Sequence, residues 1–368
     1  MKIVLVSPNW FGGVQHYTAN AFRNKGVQVV DFFYNHQNSP AFSLSRSKET
    51  PKTVKGINIK PIIKKMIPLA EPMRAALSAG RVEKNIEKIN SKLLKTVQKE
   101  KPDLVMVIKG EILFLETIKK IRNTYNTTVI AWWLDSPFRL ERSYHDLLET
   151  LTFYNHVFIF DKHYLDALKE TGLKDVSFLP NCVDDTIFKK NQVDQVDKEN
   201  YGGQLAYLGA GYPRRILILK QLLEFEPRIW GSGYSTFLSA NHRKMFNKYL
   251  NERILTPYEA VKIYNSTDIL LNFHRPQCVH GTNQKVYEIA ACGGFQLVHS
   301  VGALKEQFSI GNEMICYTDL DDLKNKIFYY LYNGKERREI AENAYKKVKA
   351  NHTYTHRIEK LLEVVETI

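Results

Sequence analysis

Apolar residues along this chain fall into two alternating patterns. Short unbroken apolar runs give way to longer stretches in which apolar positions recur every three or four residues, with Pro, Gly and Asn at the joins. The first pattern reads as buried strand and the second as amphipathic helix. Lys2–Ser7, Val27–Tyr34, Leu104–Ile108, Thr128–Trp133, His156–Phe160 and Val176–Leu179 are predicted strands. Gly13–Lys25 (closed by Gly26), 80–100, 111–125, Tyr144–Phe153 and Asp161–Gly172 are predicted helices, the last with Asp161 as candidate N-cap. Residues 36–58, rich in Ser, Pro and Lys, read as a loop. The polar stretch 189–203 ends in two glycines and reads as a linker. Alternation then restarts with strands at Gln204–Leu208, Pro227–Trp230, Ile269–Phe273, Phe295–His299 and Met314–Tyr317. Helices are predicted at Arg214–Leu223, Pro257–Ser266, Lys285–Ala291, Asp321–Tyr332, Lys335–Ala350 and Tyr354–Thr367. Such βα alternation implies α/β architecture: two Rossmann-like, doubly wound domains, each a parallel sheet with helices on both faces. In tandem they place a central cleft between them. Ligands of such sheets bind beyond the carboxyl ends of the strands, so chemistry is to be sought in the loops there.

Length agrees, since 368 residues exceed one ordinary core. Four scattered cysteines, with no C-x-x-C pair, argue against a disulfide framework and fit a reducing, cytoplasmic setting. No apolar run is long enough to span a membrane, and Met1–Pro8 reads as a first strand rather than a leader. Charge adds something new. The net charge is +13, and residues 46–101 hold 15 basic and 5 acidic residues, a net +10. That stretch suits an anionic partner, whether membrane surface, nucleic acid or phosphorylated substrate, and equally a solvated lysine-rich helix. Within 59–78, Pro61, Pro68 and Pro72 argue against one long helix. A membrane-touching or acceptor-gripping lobe and a folded loop are both consistent with it.

Several strand-end loops carry candidate chemistry. Gly12 and Gly13 follow the first strand and open a helix, where backbone can approach a phosphate or sugar; a plain tight turn reads the same. Gly209, Gly211, Arg214 and Arg215 follow the first strand of the second half, as a glycine loop with a guanidinium fork suited to a diphosphate. Gly231 and Gly233 form a further strand-then-glycine loop. Neither is a G-x-G-x-x-G dinucleotide loop. In His280–Phe295, Lys285 and Glu288 lie three apart on one helix face, ahead of Gly293 and Gly294. A carboxylate there can accept both ribose hydroxyls and the ammonium can neutralise phosphate, though spacing alone also fits a surface ion pair. Asp135 follows a first-domain strand and is a candidate to position an acceptor hydroxyl, or an N-cap. Trp132 and Trp133 read as core or as a sugar platform, and His16, His156 and His163 as surface or core histidines before acid–base groups. No metal-ligand spacing is evident; Asp319, Asp321 and Asp322 read as helix-capping charge.

Taken in order, these segments resemble the CgeB-like (spore maturation protein B-like) glycosyltransferases of the GT-B superfamily, related to the group 1, family 4 retaining enzymes. The resemblance covers the whole chain. It is carried by Gly12-Gly13, Trp132–Pro137, Val157–Asp161, the Leu-Pro-Asn-x-Val-Asp turn at Leu179–Asp184, Gly209–Arg215, Lys285–Leu297 and the tail His352–Arg357. It implies an acceptor-side domain at 1–188, the linker 189–203 and a donor domain at 204–351, with the helix of 352–368 packing back on the first domain. It also implies a nucleotide-diphosphate sugar, UDP-linked by preference, held by Glu288 on the ribose and by Arg215, Lys285 and backbone near Gly209 and Gly12-Gly13 on the diphosphate. Arg214, Gly231, Gly293 and Gly294 line the same donor site. Asp135, His280 and Arg215 are the catalytic candidates. Two departures stand out. His280 occupies the place of a first Glu eight residues before Glu288, and Lys285 replaces the family's Arg, keeping charge and losing bidentate grip.

The expected reaction is therefore sugar transfer without cofactor or metal, with leaving-group charge stabilised by fixed cations and N–H dipoles. The acceptor is open between protein, polysaccharide, lipid and modified nucleic acid, with peripheral contact to an anionic membrane through 46–101. The alternatives are a nucleotide-sugar 2-epimerase on the same scaffold and a non-enzymatic basic protein binding nucleic acid or anionic polymer. No aromatic stacking pattern supports the latter.

Overall fold

The structure, a computed structural model, describes residues 1–9, 13–35, 67–138 and 147–368, with the side chains of 35 and 67–82 left out. Gly12, the predicted loop 36–58 and the 46–66 part of the basic stretch lie outside the described residues. Contacts divide the chain into two units. One is Met1–Phe158 with Leu168–Ser177 and Ile368; the other is Ile159–Ala167 with Phe178–Thr367.

The first sheet contains β1 (Lys2–Asn9), β2 (Gln28–Asn35), β3 (Leu104–Ile108), β4 (Thr128–Trp133), β5 (His156–Ile159) and β6 (Val176–Phe178), in the order β2-β1-β3-β4-β5-β6. Pairing is parallel, with Lys2 opposite Gln28 and Ile3 opposite Leu104. Ile3–Val6 and Leu104–Ile108 are wholly buried, as expected of strands covered on both faces. Trp132 and Trp133 are core residues, so neither forms an exposed sugar platform. The predicted helix of 80–100 begins earlier, at Ile67, and runs to Glu100. It includes Pro68 and Pro72, against the expectation from 59–78. Pro68 falls in the first turn, where no intrahelical N–H is needed, and Pro72 one turn later is carried by the long run behind it. Ile86, Asn90, Leu93 and Val97 form its buried face. Lys84, Lys88, Lys92, Lys95 and Lys99 form an exposed stripe at helical spacing.

The second sheet contains β7 (Gly203–Leu208), β8 (Arg228–Gly231), β9 (Leu250–Glu252), β10 (Thr267–Asn272), β11 (Gln296–His299) and β12 (Ile315–Tyr317), in the order β12-β11-β10-β7-β8-β9. Tyr207, Phe273, Phe295, Tyr317 and Tyr330 fill one face of it. The stretch 189–203, read as a linker, holds the helix Gln195–Tyr201. Asp194 caps it by accepting the Asp197 N–H at 2.7 Å, and Lys262 pairs with Asp197 at 2.8 Å. The short helix was hidden because it buries no residue of its own. Asp319 accepts the Asp322 N–H at 2.9 Å, the capping role read from the sequence.

The final helix, Tyr354–Val365, belongs with the second unit. It does return to Leu179–Asp184, but that turn is itself part of the second unit. Val183 bridges to Thr353. Arg357 is 1% exposed and donates to the carbonyls of Pro180, Asn351 and Asn181 at 2.9, 3.1 and 3.1 Å. Its Nη2 also lies 2.9 Å from His352 Nδ1. Burial, aided by Arg357, holds His352 down at about 3, so the ring stays neutral beside the guanidinium. Arg357→Met keeps most of the volume but strips three carbonyls, that of Pro180 buried and those of Asn181 and Asn351 partly so, of their donor. It is expected to cost roughly 3 kcal/mol, read as a lower urea midpoint at unchanged m.

Candidate functional site

The carboxyl ends of β7 and β10 hold the richest set of charged side chains predicted from the sequence. After β7 the chain passes through Gly209–Tyr212 into the helix Pro213–Gln221, with Pro at the first helical position. Arg215 is partly buried. Its Nη2 donates to the Phe273 carbonyl at 2.9 Å and its Nη1 to the Ala210 carbonyl at 3.4 Å, so the end of β10 fixes it. Its guanidinium lies 5.2 Å from the ring centre of Tyr212, and Arg275 lies 5.3 Å from the same ring. Arg275 was not foreseen. The available signal was an arginine directly after a predicted strand, in Phe273-His274-Arg275-Pro276. Arg214 is exposed and reaches His299 at the end of β11, with Nη2 3.4 Å from Nε2. His274 is buried, faces the His299 carbonyl through Nδ1 at 2.9 Å and is held neutral by burial, at about 3.

Lys285 and Glu288 sit on one face of the helix Lys285–Ala291 and are both half-buried. No ion pair within 4.0 Å joins them. Burial lowers the Lys285 ammonium from its ordinary value; Glu288 opposes this, while Arg215 and Arg275 reinforce it. Burial raises the Glu288 carboxyl, with Lys285 opposing and the Tyr264 hydroxyl donating to it at 3.4 Å. Lys285 is the common neighbour of Glu288, Arg215 and Arg275. Glu288 in turn feels Lys285 and accepts a hydrogen bond from Tyr264.

Four expected donor-binding glycines have other duties. The Gly209 N–H donates to the Trp230 carbonyl at 2.9 Å, stitching the loop to β8. Gly231 adopts φ 144°, and a Cβ there would overlap the Gly209 carbonyl oxygen. Gly293 and Gly294 close the helix end, donating to Ala290 and Ile289 at 2.9 and 3.0 Å. The amides of 209, 293 and 294 are therefore spent inside the fold, and these residues pack rather than hold the donor by their N–H groups.

His280 packs its ring over Gly302 and pairs through Nε2 with Glu306 Oε1 at 2.9 Å. In the first unit, Asp135 follows β4 and is bound by Lys109 Nζ at 2.6 Å. Lys109 also lies 3.7 Å from Glu111, and these three side chains are 10–14% exposed. Gly13 is the N-cap of the helix Val14–Asn24. His16 packs edge-on to Phe33, His156 bonds Ser177 at 2.8 Å and His163 lies against Tyr164, all structural placements.

Residues 195–363, nearly the whole of the second sheet and its helices, match the family model described as glycosyl transferase-like. The chain is 24% identical over 273 residues to the spore protein CgeB of Bacillus subtilis (strain 168), covering 71% of this chain and 82% of that protein. Sucrose-phosphate synthase from Thermosynechococcus elongatus shares the fold with a TM-score of 0.66 at 12% identity, over 100% of this chain and 98% of the other. Anabaena HepE, solved with UDP, does so with a TM-score of 0.64 at 13% identity, over the full length of both chains. Residues 195–363 thus carry a glycosyl transferase-like domain, the chain is similar to CgeB over 71% of its length, and its twin parallel sheets share the GT-B fold of these glycosyltransferases.

Proposed function

We propose that the second unit binds a nucleotide-diphosphate sugar, a UDP-sugar in the first instance, and that the sugar is transferred with retention and without a metal ion. The reading rests on one observation: Lys285 and Glu288, half-buried a turn apart and not ion-paired, beside Arg215 and Arg275 at the ends of β7 and β10. An under-solvated carboxylate gains from two ribose hydroxyls, and under-solvated cations gain from a diphosphate. HepE, crystallised with UDP-glucose, and an α-glucosyltransferase, crystallised with UDP-glucose and DNA containing an abasic site, support UDP as the first nucleotide to test.

In the proposed step the anomeric C–O bond to the diphosphate breaks and the acceptor oxygen bonds the same carbon on the same face. The acceptor proton passes to the departing phosphate oxygen. Arg215, Lys285 and Arg275 stabilise the charge that develops on that phosphate. Asp135, bound to Lys109, is the group proposed to orient the acceptor. The acceptor class is protein, polysaccharide, lipid or modified nucleic acid. The lysine stripe of Ile67–Glu100 is proposed to rest on an anionic membrane surface.

Saturable thermal stabilisation by UDP, and slow hydrolysis of a UDP-sugar with retention of the anomer by NMR, test the donor and the stereochemistry. Salt-sensitive polymer binding with no response to nucleotide would instead favour the non-enzymatic reading. Glu288→Gln is expected to weaken UDP at least tenfold, about 1.4 kcal/mol, by calorimetry. The wild-type affinity should fall as pH drops through the raised Glu288 value, and as pH climbs through the lowered Lys285 value; the acid limb should vanish in Glu288→Gln. Because the folded carboxyl titrates above 4.5, ionising it costs stability above that pH. The unliganded variant should therefore melt higher at neutral pH and match wild type below pH 4.5. Arg215→Met should reduce turnover of UDP-sugar more than affinity for uridine; equal losses would make Arg215 a structural residue. Replacing Lys84, Lys88, Lys92 and Lys95 with Gln should abolish co-sedimentation with phosphatidylglycerol vesicles and leave UDP binding intact.

A further inference from the structure

Asp161, two residues beyond β5, does more than cap a helix. It is wholly buried. Its Oδ1 accepts the N–H of His163 at 2.9 Å and of His280 at 3.2 Å; its Oδ2 accepts the N–H of Val279 at 2.9 Å and of His280 at 3.1 Å. No lysine, arginine or histidine side chain pairs with it among the described residues, and its hydrogen bonds come from backbone N–H groups. Gly281 lies flat on the same spot: a Cβ there would stand 2.7 Å from the Phe160 carbonyl oxygen and 2.9 Å from the Asp161 Cβ. Neighbours on the same turn grip adjoining points. The Tyr164 hydroxyl donates to the Gln277 carbonyl at 2.7 Å, and Lys162 pairs at 2.6 Å with Glu306, whose other oxygen holds His280.

The helix that follows is anchored by other residues. Asn283 Nδ2 donates to Asn272 Oδ1 at 2.8 Å, Gln296 Nε2 to the Val286 carbonyl at 2.8 Å, and Thr282 and Tyr287 share a hydroxyl contact at 2.7 Å. One stretch of chain therefore has two independent supports, one for 285–288 and one for 277–281. On the reading proposed above, Glu288 meets ribose and Lys285, nearer the amino end, meets the diphosphate. The His280 carbonyl accepts the Ala303 N–H at 2.8 Å and its ring lies over Gly302, so 279–281 sits by the loop after β11. That loop is next along the rim from the β10 and β7 ends that carry Arg275 and Arg215. On that reading the transferred sugar falls to this part of the rim.

We infer that Asp161 is a positioning residue for the transfer step: its carboxylate sets the height of the 279–281 backbone against the sugar end of the donor, without touching the nucleotide. The inference rests on the UDP-sugar reading, and its test separates the two. Asp161→Asn replaces one acceptor oxygen with an N–H₂ that opposes the amide donors. Expected are a UDP dissociation constant within about twofold of wild type, a kcat for UDP-sugar hydrolysis or transfer lowered at least tenfold, and amide exchange at Val279 and His280 at least tenfold faster. A kcat within twofold of wild type in the folded variant overturns the inference, as does an equal loss of UDP affinity and kcat, which would mark Asp161 as a general structural support. If Asp161→Asn fails to fold, Tyr164→Phe, which removes the hydroxyl bond to Gln277, is held to the same split between affinity and kcat. Should wild type neither bind UDP nor turn over a UDP-sugar, the functional reading fails instead. The exchange arm then still decides the clamp, and unchanged protection at 279 and 280 overturns it.

Discussion

A parallel sheet delivers the carboxyl end of every strand to one edge, and each loop there must cross that edge before its helix begins. The second sheet places β10 beside β7 and β11 under this constraint, so arginines that follow one strand come to rest on the carbonyls of the next. Arg215 is held by Phe273 in just this way. The sheet's hydrophobic faces are filled by aromatic residues, which leaves this rim as the place where charge collects. Lys285 and Glu288 then lie in the same region, close enough to feel each other without forming an ion pair. Much of what the site can do follows from that compromise between packing and charge.

A second consequence concerns who recognises the anion. In many doubly wound proteins a glycine loop presents free amides to phosphate. Here Gly209 and Gly211 give their N–H groups to the carbonyls of Trp230 and Ser232. On the proposed reading, recognition passes from backbone to side chain, to guanidinium and ammonium groups with directions of their own. The Tyr212 ring has both Arg215 and Arg275 near its centre and attracts each. Such a site depends more on side-chain chemistry, and less on loop shape, than a glycine cradle.

The sheets were legible because their strands are continuous apolar runs, as in Leu104–Ile108 and Ile269–Phe273. β9 was not: Leu250-Asn251-Glu252 is an edge segment with no apolar pattern to read. The helices Gly302–Gln307 and Gln195–Tyr201 were missed for a related reason, being too short to show a period. Lys285, Glu288 and Arg215 were visible from spacing and resemblance together, whereas Arg275 needed the fold to bring it to Tyr212. Asp161 was legible only as a local cap. Its other partners lie 118 and 119 residues away in sequence, and no local pattern encodes a contact of that separation. The glycines at 209, 231, 293 and 294 were correctly marked as special, but one-dimensional reading does not distinguish room for a ligand from room for a neighbouring strand.

The meeting of Gly231 with the Gly209 carbonyl has an evolutionary side. Two backbones touch there with nothing between them, so a side chain at 231 must part β8 from the loop after β7 and, with it, shift the seat of Arg214 and Arg215. Neither position can drift alone. Lineages descended from this chain are expected to keep the pair or to exchange both together with the arginine loop, which ties the inheritance of an inconspicuous contact to that of the cationic rim beside it.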